Sequence, residues 1–102
     1  MATSKIKTNK IQIGLWESIS AIPFEAPCAG FIRYGINPSS ASGGKASITI
    51  YEDLTHHSDY KCVATTGDAQ VQIIPVNKGA YISALTATGG TEYKHFAKAE
   101  IV

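Results

Sequence analysis

Residues 92–102 alternate without a break. Tyr93, His95, Ala97, Ala99 and Ile101 fall on one side of an extended chain, and Lys94, Phe96, Lys98 and Glu100 on the other. A period of two belongs to a β-strand whose faces meet different surroundings. The same period recurs in short runs through the rest of the sequence. Residues 10–16 set Ile11, Ile13 and Leu15 on one face, and residues 31–36 send Ile32, Tyr34 and Ile36 one way and Phe31 and Arg33 the other. Residues 46–52 turn Ile48 and Ile50 together, residues 80–86 place Ile82 with Ala84, and weaker runs cover 18–24, 60–65 and 70–76. No segment sustains a helical period, and β-branched and aromatic residues dominate between the turns.

Turn formers separate these runs at 27–30, 37–45, 53–58, 66–68, 77–79 and 88–91. About eight strands so punctuated describe an all-β sandwich or barrel. Several connections are too long for two-residue hairpins, as crossings between two sheets require. The chain has 102 residues, enough for one core, so residues 10–102 are expected to form one domain preceded by a polar arm at 1–9.

Composition narrows the function classes. A net charge of +1 provides no field for nucleic acid or an anionic membrane, and Lys5, Lys7 and Lys10 read as a solvated segment. No run of about 18 apolar residues would span a bilayer, and residues 1–9 lack the apolar stretch of a secretory signal, so a cytosolic origin is expected. Hydrophobic residues make up 44% against 17% charged, sparse surface charge that suggests a face covered by a partner. A surface rich in Ser, Thr, Asn and Gln explains it equally well. Cys28 and Cys62 are too few for a disulfide framework and read as buried thiols, a bridge between them being the minor alternative.

No catalytic constellation emerges, so no enzyme activity and no cofactor are expected. His56 and His57, with Asp53 and Asp59, form the densest group of candidate ligands, but adjacent histidines in a strand point to opposite faces and distant His95 completes no zinc spacing. Asp53 and Asp59 lack the glycine of a calcium loop. Pairing either cysteine with a histidine has no positional support. Glu17, Glu25, Glu52, Glu92 and Glu100 are scattered singly, and Gly43-Gly44-Lys45 lacks the leading glycine, the hydroxyl residue and the helix of a phosphate loop. The aromatics say more. Trp16, Phe31, Tyr51, Tyr81 and Phe96 fall on or near faces opposite the apparent core, as a subunit interface or a sugar-stacking platform would have them.

The stretch Ala26-Pro27-Cys28-Ala29-Gly30-Phe31-Ile32 resembles a turn common in phage virion fibre and knob domains. Ile74-Pro75-Val76-Asn77-Lys78-Gly79-Ala80-Tyr81-Ile82 looks like their second hallmark, a Pro-Val-x-Lys-Gly turn into an alternating strand. Trimeric jelly rolls of the tumour-necrosis-factor type use a similar turn. The chain departs from this grammar at Ala80, where Asp is frequent, and at Ala29, where a polar residue is common. The resemblance implies a jelly-roll antiparallel β-sandwich of about eight strands acting without catalysis as a homotrimer on a phage particle. It would be a head fibre, capsid decoration or tail-fibre tip, assembled in the bacterial cytoplasm. Its partners would be other copies, virion proteins met through the arm, and a host-surface glycan, with no nucleic acid and no membrane insertion. Loops 37–45, 53–59 and 87–91 would face outward. The alternative is a monomeric carbohydrate-binding module using Trp16, Tyr51 or another exposed aromatic.

Overall fold

The computed structural model describes residues 11–39 and 41–101; the expected arm at 1–9 lies outside them. Among the described residues there are strands and no helix: β1 (Ile11–Ile13), β2 (Glu17–Ser18), β3 (Phe24–Glu25), β4 (Gly30–Pro38), β5 (Gly44–Tyr51), β6 (His57–Ala64), β7 (Gln70–Val76), β8 (Tyr81–Thr88) and β9 (Gly90–Ile101). They build two antiparallel sheets facing one another, a β-sandwich. One sheet runs β1-β9-β4-β7, with β2 also pairing with β9, and the other runs β3-β8-β5-β6. After β2 every connection crosses between sheets except the β5–β6 hairpin.

The spine is β4, held between β7 and β9. Its alternation drives Ile32, Tyr34 and Ile36 into the core, all fully buried, against Ala46, Ile48 and Ile50 of β5 and Ile82 of β8. Each such isoleucine contributes about 1.5–3 kcal/mol by leaving water. The Tyr34 hydroxyl donates to Gln72 Oε1, which satisfies the one polar atom of the largest core side chain. The two turn stretches singled out in the sequence meet in space. Ala26 N donates to Ala80 O (2.8 Å), Gly79 N to Ala26 O (2.8 Å) and Ala99 N to Ala29 O (3.0 Å). Ala26 and Ala80 are both buried at this junction, so a carboxylate at position 80 would be forced into apolar surroundings.

Three parts of the sequence reading are corrected. The expected strand at 10–16 breaks at Gly14, so β1 and β2 flank an irregular step. The expected 18–24 strand pairs only at its two ends, Ser18 in β2 and Phe24 in β3, with bends at 21–23 between. A bulge in the β5–β8 pairing leaves Ser83 unmatched between Ile82↔Ile50 and Ala84↔Thr49, so Ala84 leaves the face that Ile82 occupies and Leu85 and Ala87 take it up. Finally, Phe96 is in the core, opposite Ile32 and 5.5 Å from the ring of Phe24, not on an outer face.

The loops also divide. Ser39 N donates to Gly89 O (3.0 Å) and Thr66 Oγ1 to Ala41 O (2.9 Å), which gathers Ser39, 41–43, 65–69 and Gly89 at one end of the sandwich. The 52–56 loop belongs to the other end, with the 77–79 turn, so the three expected loops do not form one surface.

Candidate functional site

The loop with the most ligating side chains is closed upon itself. Asp53 Oδ1 accepts from Thr55 N (2.7 Å), Thr55 Oγ1 (2.9 Å) and His56 N (2.8 Å), and His56 Nδ1 lies 3.1 Å from the same carboxylate. These bonds, the Thr55 amide first, hold the Asp53 carboxyl well below the usual carboxylate range. His57 belongs to β6 and sits 3.6 Å from Asp59. Among the described residues no three potential ligands converge on one point. Cys28 and Cys62 are free thiols, and burial pushes the Cys62 thiol up, away from the reactive thiolate.

The outer face of the β1-β9-β4-β7 sheet is different in kind. With Ile32 and Tyr34 inward, the register puts Phe31 beside Ala97 and Pro75, Arg33 beside His95 and Ile73, Gly35 beside Tyr93 and Val71, and Ile13 beside Ala99, all facing out. Ile11, Ile13, Val71 and Ile73 are 66%, 43%, 39% and 49% exposed on it. Trp16 and Phe31 are half-buried there. The carboxylates of these strands, Glu17, Glu92 and Glu100, all stand on the inner side with Phe96.

Two polar side chains lie within this apolar surface. The Arg33 guanidinium packs 4.4 Å over the Trp16 ring, a cation–π contact. Arg33 Nε and His95 Nδ1 are shielded from water and have no hydrogen-bond partner among the described residues. Burial, reinforced by the neighbouring Arg33 charge, lowers the His95 pKa and keeps its ring neutral.

The β3-β8-β5-β6 sheet carries the two remaining aromatics. Its outer face is polar along most of its length, with Ser47 bonded to Thr86 (2.8 Å) and Thr49 to Asp59 (2.7 Å). Toward the 52–56 loop one cross-strand rank reads Glu25, Tyr81, Tyr51, His57. Tyr51 pairs its ring with His57 at 5.0 Å. Beside the two tyrosines opens a hollow of about 570 Å³, bounded also by Glu25, Asp53, Leu54 and Gly79.

Comparison with protein-family models, curated proteins and solved structures returned no match. The site is therefore read from its own geometry. Of the five aromatics singled out in the sequence, Trp16 and Phe31 share the apolar face, Tyr51 and Tyr81 share the hollow on the opposite sheet, and Phe96 belongs to the core. Sequence reading missed Arg33, His95, Val71 and Ile73. The signal for Val71 and Ile73 is present in β7, Gln-Val-Gln-Ile-Ile-Pro-Val, where alternation is clear but its direction is not, whereas Arg33 and His95 stand on the outward phase of β4 and β9.

Proposed function

We propose that this chain is a non-enzymatic structural subunit, a jelly-roll sandwich that closes into a homotrimer through the outer face of the β1-β9-β4-β7 sheet. The virion placement, as head fibre, capsid decoration or tail-fibre tip, is part of the same reading. One observation carries it. The edge strand β7 is apolar on both sides: Ile74 and Val76 stand inward with Gln70 and Gln72, while Val71 and Ile73 are left 39% and 49% exposed on the outer face, where a monomeric sandwich gains nothing from them. Apolar exposure on that side makes sense when a second copy covers the face.

Charge fits a covered face as well. Arg33 is embedded in a surface to which its own strands bring no carboxylate, so its counter-charge has to come from whatever covers that surface. A closed ring buries apolar faces and unpaired edges together. The jelly-roll assignment is supported by strand order. With β1 and β2 counted as one interrupted strand, the sheets run 1-8-3-6 and 2-7-4-5. The virion placement is supported by the resemblance of residues 26–32 and 74–82, which join in one turn assembly.

Light scattering at micromolar concentration should give three times the chain mass, and Ile73→Lys should reduce it to the mass of one chain with the fold kept. A monomeric wild type would sink the reading. The carbohydrate-module alternative loses Trp16, whose ring Arg33 already covers.

A further inference from the structure

The hollow beside Tyr51 and Tyr81 lies on the sheet opposite the proposed association face, so a trimer closed through the first sheet leaves it open. Its chemistry is not that of a structural surface. Tyr51 and Tyr81 are direct cross-strand partners, yet Tyr51 gives its ring contact to His57, and the two tyrosines border an opening of about 570 Å³. Leu54 at the rim is 99% exposed, an apolar side chain that the Asp53-centred turn holds out in water. Glu25, opposite Tyr81, has no ion-pair or hydrogen-bond partner among the described residues. Asp53 is kept ionised by the amides and hydroxyl that it accepts from.

The charges around the opening do not balance. Asp53 is already engaged by His56, 3.1 Å away, and by the donors of its own turn, and His57 by Asp59 and the Tyr51 ring. Lys78, in the adjoining turn, makes no ion pair with Glu25, so Glu25 is the carboxylate at the opening left without a counter-charge among the described residues. Aromatic faces present negative potential, and carboxylates at their rim add to it. An apolar lip then favours a cation that carries alkyl groups over a small hydrated metal ion. A neutral sugar would use the tyrosine faces but would draw nothing from the uncompensated charge.

We propose that this hollow is a binding site for an organic cation of the alkylammonium type, seated between Tyr51 and Tyr81 and charge-paired by Glu25. The test is an NMR titration of the full chain with tetramethylammonium, with a lysine tripeptide and glucose in parallel arms. The expected result is saturable shifts of the Tyr51 and Tyr81 ring signals with tetramethylammonium, weakening as salt rises. Glu25→Gln and Tyr81→Leu should each weaken binding about two- to fivefold, and Glu25→Gln touches no core contact. Tighter binding of the tripeptide assigns the site to a protein side chain, and tighter tetramethylammonium to a small ligand. Absence of saturable shifts from either cation, saturation by glucose alone, or unchanged affinity in Glu25→Gln overturns the proposal.

Discussion

Tyr34 shows how one side chain ties core packing to pH. Its ring is fully buried between the sheets and its hydroxyl reaches Gln72. Burial first, and then the adjacent Cys62 and Tyr60, push its pKa from 10 up to about 12. The folded state thus keeps a proton that the unfolded chain releases. Stability linked to Tyr34 is complete below pH 10 and is lost as pH rises toward 12. Absorbance titration at the phenolate band should show one late tyrosine, and Tyr34→Phe should remove both that step and part of the alkaline loss. Two glycines at the opposite end act through the backbone alone. Gly43 and Gly89 adopt φ of +84° and +88°, and a Cβ on Gly89 would sit 2.5 Å from Gly43 O. Gly89→Ala should therefore cost about 2 kcal/mol or more, read as a lower urea midpoint, from left-handed strain and the clash together.

Among the elements, β7 and β9 decide what the molecule presents. Ile73 and Ile74 are neighbours with opposite fates, one half-exposed and one in the core. Ile74→Ala should cost about 2–4 kcal/mol in chemical denaturation, whereas Ile73→Lys should change monomer stability by only about 0.5 kcal/mol and act on assembly. The same two strands explain how far the fold could be read from sequence. In β4 and β5 the isoleucines sit on one side only, so Ile32, Tyr34, Ile36, Ile48 and Ile50 could be placed inward by alternation. In β9 the inner face carries Lys94, Phe96 and Lys98, which looks polar by count, and only pairing with Ile32 shows that Phe96 lies at mid-sandwich. In β7 both faces hold apolar residues. In β8 the bulge shifts the phase where no glycine announces it. Tyr51 and Tyr81 were legible as exposed aromatics, but their companionship depends on register, which local sequence does not encode.

At the scale of the whole molecule, the sandwich keeps two unlike outer faces, one apolar around Arg33 and His95, the other polar with a tyrosine hollow. His95 lies opposite Ser18 and Arg33, with the Tyr93 ring 6.3 Å away, and among the described residues no carboxylate of the paired strands shares this face. Its folded pKa lies below 6.5, so at neutral pH the ring is neutral in both states and costs nothing. As pH falls through 6.5 the unfolded chain takes up a proton that the folded chain resists, and stability declines until His95 itself protonates. In the proposed homotrimer, covering the face with further copies would deepen that resistance, because a second cation beside Arg33 would then be sealed from water. Acidification from pH 7.5 to 5 should accordingly lower the urea midpoint and, in the proposed homotrimer, shift the mass toward single chains in light scattering. His95→Gln, which keeps a neutral polar group there, should flatten both responses. A variant that assembles normally yet retains the full acid sensitivity would move the origin of that sensitivity away from this face.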